Sequence, residues 1–275
     1  MNLPPEDFED TILRGEWLGA IENPKAPENK QVTTKFKLEH INGYADMTPL
    51  SFRDWFVLSV YCAACQKKWQ IITINQICNA LTGNRAARQG RKNVTEALEA
   101  AVLESVKRMM CTLITIDITE TCDAIKKYKT DKTELTDVIM PCKLLKNICV
   151  NGQITTAILI RDQSPLFYVA ELKKQLLPIG TSFLDVLGQN NTPQVVTLKG
   201  YIVYRTTVIT KHKLKPATMT LADLYEKAGA ESKSQKQDVR RLVADVMNHL
   251  KTENLISGWE FVRHGNTFHA IKISY

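Results

Sequence analysis

Gln237, Arg241 and Asn248 fall on one side of an α-helix, because successive residues advance by about 100°. Gln, Arg and Asn are the side chain types that make paired hydrogen bonds to base edges in the major groove of DNA. Ala244 lies on the same side, and its small side chain lets a helix approach closely. Lys233, Lys236, Arg240 and Lys251 belong to the same stretch and could hold phosphate oxygens, as could Arg263 and His264 further along. A second cationic group, Arg85, Arg88, Arg91 and Lys92, sits in NRAARQGRKN. The opposite side of the 237–251 stretch carries Val239, Leu242, Val243, Val246, Met247 and Leu250, a stripe suited to a core. An ordinary hydrated face is the competing reading of such charged residues taken alone.

Other chemistries lack their residues. Cys62 and Cys65 have the spacing of a zinc half-site or redox pair, yet they lie in an apolar helical run and no second CxxC follows. His264 and His269 flank a turn without a His or Cys partner at ligand spacing, which makes them wing residues rather than ligands. The stretch from Gly83 to Gly90 lacks the Lys-Ser/Thr of a phosphate-binding loop, and no GxSxG or HExxH motif is present. The expectation is a protein with no catalytic residues, no metal and no cofactor.

A chain of 275 residues suggests two folded units. No apolar run approaches the roughly 18 residues of a membrane span, and residues 1–10 are acidic where a secretory signal is basic and then apolar. Seven cysteines, an odd number and several within apolar runs, fit a reducing cytoplasm. The net charge of +7 is uneven: residues 1–47 sum to −4, 48–160 to +5, 161–195 to zero and 196–275 to +6. Two basic regions joined by a neutral stretch make a polyanion a plausible partner.

The elements that would position these residues come in a repeated order. Residues 1–47 read as an acidic arm, partly disordered, with a short strand over 31–41 before a turn at Asn42-Gly43. Thr48 as N-cap and Pro49 at the first helical position open an apolar helix. WQII follows as a strand, and Thr73 with Gln76 caps the short helix INQICNALT, stopped by Gly83. Val94 to Met110 reads as a helix with Leu98, Ala101, Val102, Val106 and Met109 inward, and with Glu96, Ala100, Leu103, Glu104 and Lys107 outward. Its carboxylates disfavour phosphate, and an exposed Leu103 suggests protein contact. After β-branched CTLITIDIT and a polar insertion from Glu120 to Asp137, KLLKNICV and QITTAILI flank Asn151-Gly152, a strong hairpin signal. LFYVAELKKQLL reads as a connecting helix that opens at Ser164-Pro165, ahead of a linker near Gly188 to Pro193. The second region gives a helix over 196–211, where Gly200 and the β-branched content would also permit a strand, then a short helix LADLYEKAG ending at Gly229, a long helix from Lys236 to Asn254, and two strands around His264-Gly265-Asn266.

Two helices joined by a short turn and followed by a hairpin is the winged helix-turn-helix order. The fold class expected is therefore α+β, with two winged helix-turn-helix domains in tandem. The boundaries are an arm at 1–47, a first domain at 48–163, a connecting helix and linker at 164–195, and a second domain at 196–275.

Over residues 48–275 the chain resembles double winged-helix replication initiators of plasmids and mobile elements, the family that binds iterons, tandem repeats at an origin. In the first module the resemblance rests on TPLSFRDWFVLSVYCA, ITINQICNALTG and the helix before CTLITI. In the second it rests on LKGYIVYR, MTLADLYEKAG, VRRLVADVMNHLKTENLI and the closing hairpin, with SPLFYVAELKKQ at the junction. The arm and the polar insertion depart from the pattern. The resemblance implies binding to direct repeats in double-stranded DNA, assistance with local melting, recruitment of host replication proteins, and repression of its own gene by a dimer. It also implies base reading by the second module, and dimerisation and backbone contacts by the first. A winged-helix transcriptional regulator and a protein-interaction scaffold that does not bind DNA are the alternatives.

Overall fold

The computed structural model describes residues 9–13, 32–38, 41–47, 50–83, 94–117, 134–150, 152–172, 176–186, 190–265 and 267–275. The chain divides into two compact units, Met1–Cys78 with Glu99–Pro178 and Asn79–Leu98 with Ile179–Tyr275. Both mix helices with small sheets, so the fold is mixed α and β.

The first unit is built on α1 (Phe52–Gln66), apolar nearly all round and buried from Trp55 to Ala64. Its start lies three residues beyond the Thr48-Pro49 signal. Ser51 accepts from the Asp54 N–H at 3.3 Å while Asp54 accepts from the Ser51 N–H at 2.7 Å, and this reciprocal cap fixes the first turn. Asp54 is fully buried, and Arg108 pairs with it at 3.4 Å. Strand β4 (Ile71–Thr73) leads into α2 (Ile74–Thr82) through the Thr73–Gln76 capping box, with bonds of 2.9 and 3.0 Å. Gly83, at φ +72°, ends that helix. The third helix, α3 (Glu96–Cys111), buries Leu98, Val102, Val106 and Met109.

Residues of the acidic arm supply strands: β1 (Glu9–Leu13), β2 (Val32–Leu38) and β3 (Ile41–Met47). Asn42 and Gly43 are not the turn; they stand within β3 opposite Lys37 and Phe36. β3 pairs with β5 (Leu113–Asp117), which pairs with β6 (Glu134–Val138), giving a sheet in the order β2-β3-β5-β6. The polar insertion thus ends as a strand, because Leu113 to Asp117 offer a ladder to a chain that returns antiparallel. A separate sheet has the order β4-β8-β7, from the hairpin β7 (Cys142–Val150) and β8 (Gln153–Ile160) around Gly152 at φ +78°. The connecting helix α4 (Pro165–Leu172) is shorter than its apolar run. The run continues as β9 (Leu176–Gly180), since Pro178 holds Leu177 out of the helical region.

In the second unit, Thr192 caps α5 (Pro193–His212) with Pro193 at its first position. This helix forms despite its β-branched residues. Thr197 and Thr207 return their hydroxyls to carbonyls four residues back at 2.7 and 2.8 Å, and the helix buries Val196, Ile202, Val203 and Ile209. Strand β10 (Thr218–Thr220) precedes α6 (Leu221–Ala228), closed by Gly229 at φ +61°. Helix α7 (Lys233–Thr252) begins three residues before Lys236, because Ser232 and Gln235 form a capping box. β11 (Gly258–His264) and β12 (Thr267–Ser274) complete a sheet in the order β10-β12-β11. In each unit's three-stranded sheet, the last strand lies between the other two.

The second unit also contains the sequestered ammonium of Lys199. Its Nζ donates to the Thr82 carbonyl at 3.1 Å and to Asn191 Oδ1 at 3.4 Å, and the side chain is fully buried. Burial lowers its pKa to about 8, against a smaller upward pull from Asp185.

Candidate nucleic-acid interface

The core stripe of α7 is as the period requires: Val239, Leu242, Val243, Val246, Met247 and Leu250 are all buried. The face turned away from them exposes Gln237, Arg241, Asn248 and Lys251, with Ala244 half-buried among them. Gln237 and Asn248 are eleven residues apart, about 16 Å along the axis. The two edges of this face differ in charge. Lys233, Lys236 and Arg240 line one side, while Asp238 and Asp245, which the sequence reading passed over, stand exposed on the other. Asp238 draws Arg241 Nη1 to 3.5 Å.

On the cationic side, side chains from four elements meet. Arg240 donates through Nη1 to the Tyr225 hydroxyl at 3.0 Å, and its guanidinium carbon lies 5.7 Å from the centre of the Phe268 ring. Arg263 approaches the same ring at 4.5 Å, and Lys236 Nζ stands 5.7 Å from the Tyr225 ring. A β-bulge underlies this meeting. Val262 pairs with Ala270 but Arg263 with Phe268, leaving His269 as an extra, exposed residue that turns the hairpin locally. Phe268 packs on Phe261 at 5.2 Å and Phe261 on Trp259 at 5.1 Å. Trp259 in turn donates its indole N–H to Asn248 Oδ1 at 3.0 Å. His264 is exposed at the end of β11.

Sequence periodicity located the exposed face of α7 but not Tyr225, Phe268 or Trp259. Their contacts cross between elements, and spacing along one element carries no sign of them. Lys251 lies near the far end of α7, away from Lys236 and Arg240.

Helix α3 presents a different surface. On α3, Glu96, Ala100, Glu104 and Lys107 are exposed, whereas Leu103, expected outside, is half-buried. Lys107 Nζ donates to Glu104 at 2.6 Å and holds that carboxyl below its ordinary range. Arg85, Arg88, Arg91 and Lys92 lie outside the described residues. Cys65 and Cys142 have pKa values raised to about 12, chiefly by burial. Among the described residues no three His, Cys, Asp or Glu side chains gather as a metal ion would require, and no helix is long and apolar enough to cross a membrane.

No protein-family model matches the chain, and no curated protein matches it in sequence. It is similar to two crystal structures of domains 2 and 3 of RctB, one of them from selenomethionine derivatives. The latter shows a TM-score of 0.43 at 12% identity over 94% of this chain and 98% of that one. The other shows 0.47 at 12% over 95% and 97%.

Proposed function

We propose that the chain is a non-enzymatic, sequence-specific binder of double-stranded DNA that initiates replication of a plasmid or integrative mobile element. On this reading α5, β10, α6, α7, β11 and β12 form a winged helix-turn-helix whose long helix enters the major groove. A similar element order earlier in the chain, α1, β4, α2 and α3, then β7 and β8 after the two further strands β5 and β6, with the sheet β4-β8-β7, supports a second, unequal module. The observation that carries the proposal is the exposed face of α7. Gln237, Arg241 and Asn248 offer hydrogen bonds to bases, beside an edge of Lys233, Lys236 and Arg240 for phosphates. Lys251, Arg263 and His264 are assigned to the backbone, together with Arg85, Arg88, Arg91 and Lys92 of NRAARQGRKN.

The initiator role, the preference for direct repeats and the host replication proteins as partners rest on the resemblance in sequence pattern, and the cytoplasmic setting on the cysteine usage. Carboxylates on α3 favour dimerisation over groove reading for the first module. Footprinting on DNA flanking the gene tests the whole reading, with tandem protected repeats beside an AT-rich tract as the expected result. A single palindrome at a promoter would move the role to transcriptional regulation. Absence of any salt-dependent affinity for DNA would leave a protein-interaction scaffold.

A further inference from the structure

We propose that Tyr225 and Phe268 are positioning residues that assemble Arg240, Arg263 and Lys236 into one composite site for consecutive backbone phosphates. This deepens the DNA-binding reading and rests on it. The cations come from separate places, Lys236 and Arg240 from α7 and Arg263 from β11. Like charges brought together repel, and such clusters are ordinarily relieved by carboxylates. Among the described residues, none of the three has an ion pair with an Asp or Glu; the neighbouring Asp238 pairs with Arg241 instead. The partners that hold them are ring faces: Phe268 for both guanidiniums, at 5.7 and 4.5 Å, and Tyr225 for Lys236 at 5.7 Å.

A ring face and a carboxylate hold a guanidinium with opposite consequences. A carboxylate consumes N–H donors, and phosphate must then compete with it. A ring attracts the cation through its π cloud and leaves the donors at the guanidinium edge free. Arg240 spends one donor on the Tyr225 hydroxyl and keeps its remaining N–H donors for phosphate oxygens. The bulge at His269 brings Arg263 and Phe268 opposite each other, so hairpin and helix share one ring as a common support. A long, flexible cation held before DNA arrives loses less freedom on binding. The three charges should therefore act as a unit, and Phe268 should influence binding without touching DNA.

The test measures the full chain's affinity and salt dependence on a duplex carrying the footprinted repeat and on a scrambled duplex. Phe268→Leu keeps apolar bulk and removes the π face. The expected result is a loss of about tenfold on both duplexes, a salt slope smaller by about one or two phosphate contacts, and recovery by Phe268→Tyr. Arg240→Ala and Arg263→Ala should each cost less in the Phe268→Leu background than in the wild type. Should Phe268→Leu fold poorly, Tyr225→Phe removes only the hydroxyl that holds Arg240 and is expected to give a smaller loss on both duplexes. Unchanged affinity and slope in whichever of these variants folds, a loss confined to the specific duplex, or independent effects of the two arginines would each overturn the proposal. A wild-type chain that binds neither duplex would overturn the DNA-binding reading itself, whereas a binding wild type with indifferent variants sinks only the composite site.

Discussion

Asn248 reaches its Oδ1 toward the Trp259 indole, and that bond narrows what the side chain can read. Paired recognition of adenine needs the amide oxygen and nitrogen together, so an engaged oxygen leaves Asn248 chiefly as a donor, suited to N7 of a purine. Arg241 carries no such restraint beyond the long contact to Asp238. Arg241→Ala should cost about 1–3 kcal/mol at the cognate site and relax specificity at one base position, measured by competition between single-base variants of that site. An unchanged preference would remove Arg241 from base reading. The buried Lys199 gives a prediction in pH. Its folded pKa of about 8 lies below its ordinary 10.5, so between those values the unfolded chain holds a proton that the folded chain has released. Stability therefore rises with pH across that window, by about 3 kcal/mol. Raised thiol pKa values act in the opposite direction as pH climbs, so the measurement is the stability difference between wild type and Lys199→Met. That difference should grow in favour of wild type from pH 7.5 to 10.5; a flat difference would contradict it. The exposure of Gln237 and Arg241 was legible because one helix's period decides it. The burial of Lys199 was not, because it is decided by a carbonyl 117 positions away.

Types of element agree with the sequence where the apolar period is long, as in α3 and α7, or where a cap signal opens a long apolar run, as in α1. Their ends slipped by three residues wherever a stronger cap lay nearby. Thr48-Pro49 lost to the reciprocal Ser51–Asp54 pair, and Lys236 lost its place as the first residue to the box of Ser232 with Gln235. The latter cap is open to experiment: Ser232→Ala should destabilise the second unit by about 1 kcal/mol in urea unfolding, with Ser232→Asp restoring most of it. Gly83 poses a harsher constraint. An added Cβ there would collide with backbone atoms of Thr181, Leu184 and Asp185, at a φ of +72° that side chains avoid. Gly83→Ala should lower stability by at least about 2 kcal/mol, since a backbone cannot rotate aside as a side chain can. The β2-β3-β5-β6 sheet was invisible beforehand for a different reason. Its central partners, Gly43 to Ala45 and Ile114 to Ile116, are separated by some seventy residues, and local alternation says nothing about which strand a ladder will meet.

At the scale of the molecule, the second unit is not one continuous stretch, since Asn79–Leu98 belong to it along with Ile179–Tyr275. A domain cut by eye at residue 196 would discard Asn191 and Thr82, both partners of Lys199. A fragment of residues 179–275 should consequently unfold at lower urea than the same fragment joined through a flexible linker to residues 79–98. Trp259, the sole tryptophan in either, reports the transition. Equal midpoints would mean that the early segment adds nothing to the unit's stability. The buried lysine also bears on the order in which the chain is born. Thr82 leaves the ribosome 117 residues ahead of Lys199, a delay of roughly 6–23 s at about 5–20 residues per second. Residues 99–178 are made within that interval, so the second unit, which draws on Thr82 and Lys199 together, is completed only after most of the first has been synthesised.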